Sequence, residues 1–136
     1  MARIIGIDYG GKRTGIATTD SLQIIATALT TVDTKELIPF LRDYTSKEKV
    51  EKMVVGLPVH KDGNYTYLKK DIDVFISNFS KIRPEIVIDF YDESFTSAEA
   101  KSIIFQSGVK KKKRQDKSLV DKVSAVLILQ KYLQHI

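Results

Sequence analysis

A change of hydrophobic period near residue 33 constrains this chain more than any other feature of its sequence. Before it come three strand-like runs, residues 3–9, 12–19 and roughly 24–32, rich in Ile, Thr and Val, and the first two are separated by Gly10-Gly11, a two-glycine hairpin signal. After it, helical and strand periods alternate. Asp33-Thr34 stands where a helix cap belongs, ahead of Leu37, Ile38, Leu41 and Tyr44 at helical spacing, and that helix should decay near Ser46. Lys52 to Leu57 reads as a short buried strand stopped by Pro58. Tyr65, Leu68, Ile72, Phe75, Ile76 and Phe79 form the apolar face of a helix over 64–79, which Arg83-Pro84 ends. Residues 85–91 alternate, with Ile86, Ile88 and Phe90 on one side and Val87, Asp89 and Tyr91 on the other. Thr96 to Glu99 matches a capping box for a helix through Phe105 that stops at Gly108, and residues 118–133 form a last helix.

The order β-β-β-α-β-α-β-α-α specifies an α/β fold. Its expected core is a mixed five-stranded sheet flanked by helices, whose first three strands make an antiparallel meander and whose last two are added in parallel through crossovers. A length of 136 residues, 43% of them hydrophobic and with no internal repeat or linker, is expected to make one domain spanning 1–136. No apolar run approaches the roughly 18 residues of a membrane span, and the first residues lack the apolar stretch of a signal peptide. A cytoplasmic protein is therefore expected.

The chain has no cysteine and two histidines, which excludes a disulfide scaffold, a thiolate nucleophile and Cys-ligated metals. Carboxylates are the main catalytic groups left. A formal charge of +5 favours a polyanionic partner because the positive charge is clustered: Lys110, Lys111, Lys112, Lys113 and Arg114 run together, and Lys12-Arg13 lies beside two glycines. The bland reading of such a run is a solvated loop.

Three acidic positions stand out. Asp8 ends the first strand with glycines near it on both sides, which lets a metal, a phosphate or another backbone approach; equally, it could serve only the hairpin turn. Asp89, Asp92 and Glu93 cluster at the end of the fifth strand, where open α/β sheets place their sites, and spacing alone does not choose among them. Asp121 heads a helical stripe with Ser124, Ala125, Ile128 and Tyr132, although Ser118 to Asp121 also matches a capping box. Converging carboxylates can hold Mg²⁺ or Mn²⁺, and a pair of such ions can activate water and stabilise the leaving oxygen of a phosphodiester. Composition does not show that these acids converge.

The stretch Gly6-Ile7-Asp8-Tyr9-Gly10-Gly11-Lys12-Arg13-Thr14-Gly15-Ile16-Ala17 resembles the opening signature of the YqgF (RuvX) family. Later blocks agree in order: Val55-Gly56-Leu57-Pro58 with Asp62-Gly63, Asp92-Glu93 with Thr96, and Val120-Asp121-Lys122 with residues 125–130. The resemblance implies a ribonuclease H-like fold with an acidic triad at Asp8, Glu93 and Asp121. It further implies a nuclease maturing the 5′ end of the small-subunit ribosomal RNA precursor, with Holliday junction resolution as the alternative. On that assignment Asp8 bridges two Mg²⁺ or Mn²⁺ ions, Glu93 and Asp121 complete one shell each, and Lys12, Arg13 and the 110–114 run hold flanking phosphates. Two positions depart from the family pattern: Ser94 replaces a common arginine, and His60 a common asparagine. Two other readings compete, a phosphotransferase resembling the actin and hexokinase class, which needs two such domains, and a noncatalytic RNA-binding module.

Overall fold

The computed structural model describes residues 2–58, 68–93 and 117–133. Its strands are β1 (Arg3–Asp8), β2 (Arg13–Thr19), β3 (Ala26–Asp33), β4 (Val50–Pro58) and β5 (Val87–Glu93). A 3-10 turn (Thr34–Glu36) leads into helix α1 (Leu37–Lys47), α2 (Leu68–Ile82) links β4 to β5, and α3 (Lys117–Tyr132) follows β5 in the chain. The strands form one mixed sheet in the order β3-β2-β1-β4-β5, with β1, β2 and β3 antiparallel and β1, β4 and β5 parallel. This is the architecture expected from the change of period. The helix expected from Thr96 lies outside the described residues.

Alternation along β1 divides the core in two. Ile5 and Ile7 face α1 and α2, where they pack with Leu41, Met53, Val55 and Phe79. Ile4 faces the other way, into a smaller cluster with Ala17, Val54, Ala125, Ile128 and Leu129 that α3 covers. The helix comes unusually close because Gly6 and Gly15 present no side chain to it. A Cβ on Gly15 would lie 2.0 Å from the carbonyl oxygen of Asp121, and one on Gly6 would lie 2.5 Å from Leu129 Cγ. Both positions are thus fixed as glycine by space.

Local boundaries differ from the sequence expectation for identifiable reasons. The β1–β2 connection spans Tyr9 to Lys12 rather than two residues, and Gly10 is required there because a Cβ would meet the Arg13 carbonyl at 2.2 Å. Ile24 and Ile25 are not strand: their N–H groups donate to Asp20 Oδ1 at 2.7 and 2.8 Å, so β3 starts at Ala26. Asp33 makes no side-chain cap bond to the following turn. Thr34 instead donates its hydroxyl to the Gly10 carbonyl at 2.6 Å and shares a 2.9 Å bond with Thr14, tying the start of α1 to the β1–β2 loop. Pro84 and Glu85 form a turn, which delays β5 to Val87, and pairing with β4 carries that strand on to Glu93.

Candidate active site

Asp8 is the last residue of β1, half-buried at the C-terminal edge of the parallel strands. Its register partners are Gly15 on β2 and Gly56 on β4, so neither neighbour across the sheet projects a side chain beside it. Alternation puts Asp8 on the side of Gly6, the side that α3 covers. The backbone of Asp121 rests on Gly15, the register partner of Asp8, so both acids border the same glycine. Asp121 lies beyond the first turn of α3 and is no capping residue there; its Oδ2 accepts from Arg13 Nε at 3.0 Å.

The end of β5 separates its three acids by backbone register alone. Asp89 pairs in register with Val54, on the α3 side, and is held there by Tyr132, whose hydroxyl donates to Asp89 Oδ2 at 2.6 Å while accepting from Lys52 Nζ at 2.9 Å. The Tyr132 hydroxyl and then the Phe90 N–H hold the Asp89 carboxyl below its ordinary value, and the bond to Tyr132 raises Lys52. Asp89 therefore belongs to a network that clamps α3 to the sheet. Asp92 stands at the register of Leu57 and Glu93 at the register of Pro58. Glu93 is the last strand residue, two strands from Asp8 at the same edge. Among the described residues no three metal-ligating side chains form a cluster.

The β1–β2 loop opens a groove of about 440 Å³ lined by Gly11, Lys12, Arg13, Asp33 and Lys35, of which Arg13 also bonds to Asp121. Lys12 is exposed and Arg13 half-buried, and of the two it is Arg13 that bonds to an acid, Asp121. Lys35 was not among the sequence candidates. The signal that could have found it is the pairing of Arg13 with Asp33, which brings the residues after β3 to the hairpin. A second depression of about 250 Å³, between Tyr9, Ile38 and Phe75, lies on the α1/α2 side and shares Lys35 with the groove. Burial, and then the charge of Asp71, raise the Tyr9 phenol there. Lys110 to Arg114, His60 and Ser94 lie outside the described residues.

A five-stranded mixed sheet with an acid ending its first strand and another on the helix that crosses it defines the ribonuclease H-like class. Solved structures agree. The chain is similar to RuvC of Thermus thermophilus in complex with a Holliday junction substrate, with a TM-score of 0.58 at 15% identity over 98% of this chain and 96% of that one. A second structure of Thermus thermophilus RuvC gives a TM-score of 0.52 at 10% identity, covering 96% of each chain. At these identities the likeness concerns the fold.

The chain belongs to the RuvX family, whose model, described as Holliday junction resolvase, matches residues 2–135. Curated relatives named "Putative pre-16S rRNA nuclease" are similar along nearly the whole length. The one from Bacteroides thetaiotaomicron is 47% identical over 98% of this chain and 97% of its own. Those from Flavobacterium psychrophilum and Christiangramia forsetii are 49% and 50% identical, each over 98% of this chain and covering 97% and 98% of the relative.

Proposed function

We propose that the chain is a phosphodiester-hydrolysing nuclease that matures the 5′ end of the 16S ribosomal RNA precursor, acting in the cytoplasm as one domain over residues 1–136. The observation that carries this reading is the seat of Asp121 on Gly15, the register partner of Asp8. Two acids remote in sequence are brought together at the strand edge where α/β sheets host chemistry. Family membership and the names of the relatives supply the reaction class and the RNA.

Carboxylate oxygens are the hard donors that Mg²⁺ and Mn²⁺ take, so Asp8 and Asp121 fit such ions, and Glu93 at the same edge is the third ligand of the proposed centre. Two ions held there supply an activated water and stabilise the charge of the phosphoryl transition state. The remaining work falls to the chain. Gly56, the register partner of Asp8 on β4, places no side chain against the carboxylates on that flank. Lys12, Arg13 and Lys35 in the groove neutralise phosphates beside the scissile one, and the charge of Lys110 to Arg114 adds to the attraction for a polyanion. Removal of divalent ions should stop cleavage while leaving the phosphate contacts of Lys12 and Lys35 in place.

The test is cleavage of a 5′-extended 16S ribosomal RNA precursor and of a four-way DNA junction side by side, with Mg²⁺ or Mn²⁺, by wild type and Asp8→Asn. The expected result is cleavage of the RNA alone, lost in Asp8→Asn with binding retained. Junction cleavage alone would replace the reading with a resolvase. Binding without cleavage of either substrate would replace it with a noncatalytic module.

A further inference from the structure

Arg13 is bonded to one of the acids that the proposed centre needs. Its Nε donates to Asp121 Oδ2 at 3.0 Å, and the two side chains remain 36% and 21% exposed, so the pair can open toward water. A guanidinium on that oxygen and a divalent cation on the same carboxylate repel each other at contact distance, which opposes their simultaneous occupancy. A guanidinium also matches phosphate in charge and fork geometry, and Arg13 lines the groove beside the acids.

We infer that Arg13 is an exchange cation, seated on Asp121 in the metal-free protein and displaced to the groove when the cation binds. This rests on the reading of Asp121 as a metal ligand. In the metal-free protein the guanidinium offsets the repulsion between Asp8 and Asp121, which border the same glycine, Gly15. Once released, it faces the phosphate of the strand in the groove bounded by Lys12 and Lys35. Metal binding frees Arg13 for phosphate, and phosphate keeps Arg13 off Asp121. Each ligand therefore tightens the other, and by linkage the gain is the same in both directions. Arg13 is a positioning residue in this scheme, since it sets the affinity of the carboxylate for its metal.

The test is calorimetric titration of the full chain with Mn²⁺, without nucleic acid, for wild type, Arg13→Gln, Lys12→Gln and Asp121→Asn. A partly exposed ion pair is worth up to about 1 kcal/mol, so Arg13→Gln should bind Mn²⁺ about two- to fivefold more tightly than Lys12→Gln. Lys12→Gln removes the same charge from the neighbouring position, which makes no ion pair among the described residues. A purely structural role for Arg13 would weaken Mn²⁺ binding instead of tightening it. Equal or weaker affinity of Arg13→Gln relative to Lys12→Gln, with Asp121→Asn impaired, overturns the exchange and leaves the metal site standing. Unimpaired Mn²⁺ binding by Asp121→Asn removes the metal-site reading and the exchange together. A repeat with a short hydrolysis-resistant oligonucleotide should raise Mn²⁺ affinity in wild type but not in Arg13→Gln; the same gain in both would refute the coupling.

Discussion

Replacing Gly15 by alanine should damage fold and activity together, because this position sets the distance between the sheet and α3. The new Cβ would meet the Asp121 carbonyl oxygen at 2.0 Å and its carbonyl carbon at 2.4 Å, where ordinary contact begins at 3.4 Å. Backbone lies on both sides of the clash, so no side-chain rotation relieves it and α3 must retreat by about 1.4 Å. That shift strains the packing of Ala125, Ile128 and Leu129 against the sheet, all of them fully buried. Overpacking of this kind costs about 1–3 kcal/mol, and the backbone clash puts Gly15→Ala at the upper end. For a chain of this size the melting temperature should fall by roughly 10 °C. Asp121 moves away from Asp8 by the same displacement, and misplacement of a catalytic group by about 1 Å can lower the rate about 100-fold. Urea unfolding gives the stability, and cleavage measured well below the variant's melting temperature gives the rate. Gly6→Ala is the internal comparison: its nearest contact is the Leu129 side chain at 2.5 Å, with the Ala125 carbonyl at 3.1 Å, so rotation of Leu129 absorbs part of the clash. A Gly15→Ala protein within about 0.5 kcal/mol of wild type and fully active would refute the close approach of α3 as the device that assembles the site.

Three further substitutions probe other parts of the molecule. Tyr132→Phe should cost about 1 kcal/mol by removing the hydroxyl shared by Asp89 and Lys52. The depressed Asp89 carboxyl contributes stability above about pH 4 that is lost as pH falls through its folded value, and the raised Lys52 contributes below about pH 10.4 and is lost as pH rises. The deficit of Tyr132→Phe, measured by urea unfolding, should therefore be flat across neutral pH and shrink toward both extremes. Lys35→Ala should lower the slope of log K against log salt for single-stranded RNA by about 0.7, one phosphate contact, while Lys81→Ala on the far end of α2 should not. Ser124→Ala should be neutral or stabilise by about 1 kcal/mol in the same unfolding assay, since the fully buried Ser124 Oγ has no hydrogen-bond partner among the described residues.

The sheet was legible because strand and helix leave different periods, and Ile4, Ile5 and Ile7 are split between two core clusters as alternation requires. Strand ends were less legible, since they depend on partners remote in sequence. Asp20 captures the N–H groups of Ile24 and Ile25 and shortens β3, whereas β4 holds β5 in register out to Glu93. The same limit applies to the acids. Asp89, Asp92 and Glu93 look equivalent along the chain, and only pairing with Val54, Leu57 and Pro58 fixes the register of each. The capping motif at Ser118 to Asp121 left the role of Asp121 open because local sequence cannot report Gly15, on which Asp121 packs, or Arg13, to which it bonds. Lys35 was missed for a similar reason: nothing nearby in sequence marks it, and the hairpin brings it to Lys12 and Arg13.

The most direct test of the proposed centre is anomalous diffraction from crystals of the full chain soaked in Mn²⁺. The expected result is a pair of peaks at the C-terminal edge of β1 and β5, both ligated by Asp8 and one each by Asp121 and Glu93, at about 2.0–2.3 Å from carboxylate oxygen. Mn²⁺ bound elsewhere, or bound at this edge without Asp8, would contradict the metal centre and with it the nuclease mechanism built on these three acids.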